Sequence, residues 1–165
     1  MPQDILKRCF MIIVLCLLQA LVLNRIHLFD CATPLLYVML PLSFRPNQPR
    51  WATLLWCFSM GLLVDVFSNT AGLAAASMTV VGMLQPYLLP AFISREEEET
   101  FQPSLSSLGW MKFIAYAFIL VFIFCLTFFT LETFSFFDVV IWAKSVGGST
   151  LITLFIILAL EKIRS

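Results

Sequence analysis

Asp65 is the ionisable residue whose setting in this sequence most strongly suggests a specific role. It lies in the segment from Gly61 to Gly72, where two long apolar runs meet across a short polar stretch. A carboxylate at the edge of a membrane-like span is costly and usually has a partner or a cavity. The chemistry open to it is therefore to pair with a cation or to accept hydrogen bonds.

Two interpretations of Asp65 follow from the residues around it. In the first, Asp65 pairs with Arg25 or Lys144 in a shallow polar layer, since all three are predicted near the same membrane surface. In the second, Asp65 or one of the polar residues after it (Ser68, Asn69, Thr70) caps the helix that starts near Gly72. These residue types are favoured at helix N-termini. The sequence leaves both open.

Other chemistry has little support in the sequence. There are five cysteines without a C-x-x-C pair, and a single histidine, His27. A zinc or redox site would need converging ligands at short spacings. The P-loop, nucleophile-elbow and zinc-protease motifs do not occur. We therefore predict no enzyme activity, no cofactor and no metal site.

The composition predicts a polytopic membrane protein. The chain is 61% hydrophobic and 12% charged, with a mean hydropathy of +0.96. A typical soluble domain is about 25% charged, so lipid must be the solvent for much of this surface. The net charge is zero, which gives no reason to propose nucleic acid as a partner. We predict one all-α transmembrane domain, residues 1–165.

About six spans are predicted from the lengths of the apolar runs, because a crossing helix needs about 20 residues. Their approximate bounds are Ile5–Leu23, Ala32–Phe44, Trp51–Phe67, Gly72–Ile93, Met111–Leu131 and Val139–Leu160. Span two is short and holds two prolines, so a re-entrant segment is the alternative to a thin or tilted crossing. The phenylalanines of span five are expected mostly to face lipid.

Small residues in spans four and six are candidate contact sites for other helices, because small side chains let backbones approach closely in lipid. In span four the small residues share one predicted helix face: Gly72, Ala75, Ala76, Thr79 and Gly82. In span six Gly147 and Gly148 precede Ser149. Either face is predicted to receive a transmembrane helix of a partner.

The distribution of basic residues predicts the orientation in the membrane. With six spans and the N-terminus inside, eight of the ten Lys and Arg residues fall on the inner side. Arg25 and Lys144 are the exceptions. Lys and Arg in short loops mark the cytoplasmic side, so both termini are predicted in the cytoplasm.

The motif residues give the chain a resemblance to a known family. Asn24-Arg25 at the end of span one, Gly61 and Asp65 closing span three, and Gly72 opening span four resemble the rod shape-determining protein MreD family. The chain length and the six-span layout are also similar. The resemblance implies a fold similar to the S-component of vitamin importers.

The same resemblance implies a non-enzymatic component of the bacterial cell-elongation complex in the inner membrane. Such a protein would bind the bitopic protein MreC and, through it, MreB, RodA and the penicillin-binding transpeptidase, and so help regulate cell shape and peptidoglycan synthesis. The alternative function is a substrate-binding subunit of a vitamin-type importer. Whether the protein forms a homodimer is left open.

Overall fold

The computed structural model describes residues 2–21, 35–45, 48–70, 72–93, 103, 108–133 and 138–164, and these residues form helices joined by short turns. The helices are α1 (Pro2–Leu21), α2 (Met39–Leu42), α3 (Arg50–Ser68), α4 (Leu73–Leu88), α5 (Trp110–Glu132) and α6 (Val139–Arg164). Short 3-10 turns precede α2, at Leu36–Val38, and follow α4, at Leu89–Ala91. The prediction of an all-α membrane protein is confirmed at this level.

Within the described residues, four helical stretches are long and apolar enough to cross a membrane, and they correspond to predicted spans three to six. Their bounds are Arg50–Ser68, Leu73–Ala91, Trp110–Glu132 and Val139–Ile163. They form because apolar runs of this length satisfy every backbone hydrogen bond within the helix, as lipid requires. Predicted span one corresponds to α1, a helix of 20 residues with charged residues in its first half.

The described part of predicted span two is a buried, broken segment. Between Leu35 and Phe44 it contains only the 3-10 turn and the single turn of α2, which is too short to cross a bilayer. Its residues are almost entirely enclosed; Val38, for example, is 0% exposed. Irregular backbone at membrane depth is tolerated only where protein surrounds it. Leu36 lies beside Gln19 and Phe44 beside Arg8, so residues 36–44 run back along α1 as a short, irregular segment and not as a regular crossing helix.

Side chains from two other helices bond the first two backbone N–H groups of this segment, residues 35–44, which we call the buried turn. The Leu35 N–H donates to Oγ1 of Thr153 on α6 at 3.0 Å. The Leu36 N–H donates to Oε1 of Gln19 on α1 at 3.1 Å. Both acceptors are fully buried. The first turn of a helix leaves its N–H groups without intrahelical partners, and here α1 and α6 supply them.

The α3–α4 hairpin is the most closely packed pair of helices among the described residues, and α5 packs beside α4 and then α6 beside α5. Between α4 and α5, the Gln85 side-chain amide donates to the Tyr116 hydroxyl at 3.3 Å. The same amide donates to the Phe44 carbonyl at 3.3 Å, which joins the end of the buried turn to both helices.

The phenylalanines of α5 do not follow the expectation that most face lipid. Phe113, Phe124 and Phe129 are buried, Phe128 is half-buried, and only Phe118 and Phe122 are exposed. The reason is that α5 lies between α4, α6 and the buried turn. The ring of Phe124 meets Tyr37 edge-on, with 5.2 Å between the ring centroids.

Three cation–aromatic pairs mark one end of the bundle, which we call the basic end. Arg8 lies 5.4 Å from the Phe44 ring centroid, Arg50 5.0 Å from that of Tyr87, and Lys162 6.0 Å from that of Trp110. The Arg50 guanidinium also donates to the Tyr87 hydroxyl at 3.0 Å. Amphipathic aromatic rings are typical of the membrane–water interface.

Candidate functional site

Asp65 lies at the end of the α3–α4 hairpin that is opposite to the basic end. There its side chain caps the N-terminus of α4. Its Oδ1 accepts a hydrogen bond from the Ala74 N–H at 2.9 Å, and its Oδ2 accepts one from the Ala75 N–H at 2.9 Å. The Thr70 hydroxyl also donates to Oδ1. The side chain is 5% exposed. A carboxylate at a helix N-terminus satisfies free N–H groups and interacts favourably with the helix dipole.

The turn between the two helices brings this carboxylate into register with α4. Asn69 ends α3 in the left-handed conformation, with φ of 55°, and Asn tolerates this region better than most residues. Gly72 precedes α4 with φ of 81°, where a Cβ would be strained. Two left-handed residues therefore reverse the chain within a few positions and point the start of α4 back at α3.

Gly61, one helical turn before Asp65, is a point of very close approach between α3 and α4. A Cβ at Gly61 would lie 2.5 Å from the Ala75 Cα and 2.6 Å from the Ala74 carbonyl oxygen. No neighbour can yield, because both atoms belong to backbone. Gly82 marks a second close approach, where a Cβ would lie 2.8 Å from the Cys57 sulfur.

Gly61, Asp65 and Gly72 thus form one structural unit. Gly61 admits the first turn of α4, Gly72 permits the tight entry into that turn, and Asp65 accepts hydrogen bonds from its N–H groups. Residues four apart on a helix share a face, so Gly61 and Asp65 address the same turn of α4. The capping interpretation of Asp65 is confirmed.

The predicted ion pair of Asp65 with Lys144 is not found. Asp65 is buried against α4, whereas Lys144 is exposed on α6, which packs mainly against α5. The pairing was proposed from similar depth alone, and depth does not fix which side of the bundle a residue occupies. Arg25, the other proposed partner, lies outside the described residues, as do Asn24 and His27.

The other predicted contact residues are separated by the fold. Ala75 and Gly82 face α3, but Ala76 is exposed, so the predicted small face of α4 is divided between two sides. On α6, Gly147 is exposed with open space where a Cβ would be, and Gly148 is half-buried. The helix period places adjacent residues about 100° apart, so adjacent small residues such as Ala75 and Ala76 differ in burial.

A groove of about 750 Å³ opens beside Asp65, between α3 and α4. We call it the hairpin groove. Its lining is apolar along α3, small along α4 and polar at the turn: Phe58, Leu62, Asp65, Val66, Asn69, Thr70, Gly72, Ala75 and Ala76. The volume is within the range of small-molecule sites, so the hairpin groove is the candidate site.

Several structurally important polar residues were missed by the sequence analysis. Gln19 and Thr153 cap the buried turn, and Gln85 joins three segments. The signal was available, because each is a polar side chain inside an apolar run. The sequence does not identify the hydrogen-bond partner of each residue, because the partners come together only through tertiary packing.

Three buried side-chain groups lack a hydrogen-bond partner in the part of the chain that the structure describes. These are the Tyr37 hydroxyl in the buried turn, the side-chain carbonyl of Gln48 before α3 and the indole N–H of Trp142 on α6. None of the three lines the hairpin groove. Within the same described residues, no three His, Cys, Asp or Glu side chains converge as metal ligands would.

Comparison with known proteins finds no relative of this chain. No family model matches the chain, and no curated protein or solved structure matches it either.

Proposed function

We propose that this protein is a non-enzymatic, MreD-type component of the bacterial cell-elongation complex in the inner membrane. In this role it binds MreC and so contributes to the control of cell shape and peptidoglycan synthesis. The proposal starts from the resemblance carried by Gly61, Asp65 and Gly72. The observation that supports it best is that these three residues form a single helix-packing unit. A scaffold role is supported because the three hydrogen bonds that this carboxylate accepts come from neutral donors of the hairpin itself.

MreC and the cytoplasmic orientation of both termini are parts of the same proposal. The clustering of Arg8, Arg50 and Lys162 at one end of the bundle supports that orientation, because basic residues mark the cytoplasmic side. MreB, RodA and the transpeptidase are then reached indirectly through MreC.

A second candidate function is the substrate-binding subunit of a vitamin-type importer. The hairpin groove favours it, because a groove of about 750 Å³ with polar residues at one end has the size and mixed lining of a ligand site. Against it, the groove opens sideways between two helices instead of being enclosed by the bundle. A vitamin site buries most of its ligand.

A pull-down in mild detergent tests the two functions against each other. The tagged chain is isolated from its native membranes, and co-purifying proteins and small molecules are identified by mass spectrometry. We expect MreC to co-purify in stoichiometric amount. In the control, an unrelated tagged polytopic protein from the same membranes should not recover MreC. Recovery of an ATPase module with a coupling subunit, or of a retained vitamin, would overturn the scaffold in favour of the importer.

A further inference from the structure

We propose that the hairpin groove is the docking site for one transmembrane helix of a partner protein. This helix would place small side chains against α4 and a Lys, Arg or amide donor at the level of Asp65. The inference rests on the proposed scaffold function and deepens it by assigning the surface and the recognition chemistry.

The length of the groove suits a helix. Along α3 it follows the residues from Phe58 to Asn69, which span about 16 Å, or three turns, at 1.5 Å per residue. Phe58, Leu62 and Val66 repeat at helical spacing along this wall and are 46%, 43% and 68% exposed. Their spacing matches the ridges of a helix lying alongside.

The opposite wall allows a close approach. Gly72, Ala75 and Ala76 carry at most one side-chain carbon each along the part of α4 that lines the groove. In lipid, helices associate through close van der Waals packing at small residues, since no hydrophobic force drives them together. The outward face of α6 differs, because Leu151 and Phe155 project from it and are 65% and 76% exposed.

Asp65 gives the groove its polar specificity. It lines the groove and is 5% exposed, and its three hydrogen-bond donors are neutral. A carboxylate offers about four acceptor positions, so one remains. A donor on the incoming helix would complete the set, and a cationic donor would also compensate a charge held in a low-dielectric setting.

The same charge argues against a second copy of this chain as the occupant. A two-fold interface places the same patch on both subunits, so pairing through the groove would place two Asp65 carboxylates in one interface. Like charges at an interface cost several kcal/mol. A lipid acyl chain would fill the apolar wall, but it carries no donor for Asp65.

Photo-crosslinking in native membranes tests the assignment. A benzoylphenylalanine probe is placed in the full-length chain at Leu62 or Ala76, both in the groove, and at Leu151 or Phe155 as matched exposed controls. MreC is co-expressed, and adducts are mapped by peptide mass spectrometry. We expect adducts from the groove probes to the transmembrane segment of MreC, with at least tenfold lower yield from the α6 probes.

A filling variant provides the second measurement. Ala76→Phe adds bulk on the exposed side of α4, away from the contact with Gly61, and is expected to reduce MreC recovery at least tenfold. Leu151→Phe is the control and should leave recovery unchanged. Size-exclusion chromatography and thermal unfolding verify that each variant folds.

The possible results separate the two proposals. Co-purification of MreC with adducts only from α6, or with full recovery by the Ala76→Phe variant, overturns the groove assignment and leaves the scaffold function intact. Groove adducts only to lipid, or to a second copy of this chain, also overturn it. Absence of MreC from the wild-type pull-down overturns the scaffold function itself.

Discussion

At the residue scale, Gly61 and Asp65 both stabilise the packing of α3 against α4. Gly61 does so through close packing and Asp65 through hydrogen bonds. Gly61 contributes by the absence of a side chain, because the backbone of α4 occupies the space a Cβ would need. Asp65 contributes three accepted hydrogen bonds and is only 5% exposed. Substitutions at the two positions should therefore destabilise the protein for different reasons.

Gly61→Ala is expected to lower the free energy of unfolding by about 1–3 kcal/mol, the usual cost of overpacking a tight contact. The helices would have to separate, since the atoms that a Cβ meets belong to backbone. Thermal unfolding in detergent measures the effect. Gly147→Ala is the matched control, because that glycine is exposed with open space around it, and alanine favours helix. Equal stability of the two variants would contradict the close approach.

Asp65→Ala is expected to cost about 1–3 kcal/mol, because the N–H groups of Ala74 and Ala75 lose their acceptor in a buried position. Asp65→Asn keeps one acceptor oxygen and should cost less. Hydrogen exchange at the first turn of α4 should rise in the same order. If Asp65→Ala leaves that exchange unchanged, the cap is not the role of this residue.

The sequence alone predicted the long apolar helices and narrowed the role of Asp65 to two interpretations. It could not choose between them, because a cap and an ion pair require the same residue type. The choice depends on the side of the bundle that Asp65 and Lys144 face. Gln19 and Thr153 were missed for a related reason, since their partners are backbone N–H groups of a segment distant in sequence.

At the element scale, the buried turn depends on its neighbours, whereas the long helices satisfy their own backbone. Its first two N–H groups are bonded to side chains of α1 and α6. A run of 13 apolar-rich residues with two prolines was predicted as a thin crossing. The described part, residues 35–44, runs along α1 and is almost entirely enclosed by protein.

Thr153→Val tests this dependence with almost no change of volume. It leaves the Leu35 N–H without its acceptor, and we expect a loss of about 1–3 kcal/mol in unfolding free energy. Thr127→Val is the control, because the Thr127 hydroxyl donates only to the Ile123 carbonyl of its own helix. That change should stay within about 0.5 kcal/mol. A similar loss for both threonines would argue against a specific cap at Leu35.

At the scale of the whole molecule, the helix directions and the positions of the basic residues indicate the same orientation in the membrane. The start of α3, the end of α4, the start of α5 and the end of α6 lie at the basic end, joined through Arg50–Tyr87 and Lys162–Trp110. The hairpin turn at Asn69 lies at the other end. Because cations gather at one end, the inside-positive rule predicts which end is cytoplasmic.

Reporter fusions test this orientation. Fusions after Gln48 and after Ile163 are expected to behave as cytoplasmic, and a fusion after Thr133 as extracytoplasmic. The first two positions lie at the basic end and the third at the opposite end, so the pattern should alternate. If the fusions after Gln48 and Ile163 report opposite sides, the arrangement of helix ends is wrong. If all three are inverted together, the charge rule fails for this protein.

The dependence of the buried turn on Thr153 also has a consequence for biosynthesis. Residues 35–44 leave the ribosome long before the helix that carries Thr153, which is 118 positions further along the chain from Leu35. During that interval the Leu35 N–H has no native acceptor in the growing protein. Until α6 is inserted, the buried turn must therefore remain without this native bond, in the translocation machinery, in lipid or bound to an insertase. Completion of the buried turn therefore depends on the later arrival of α6.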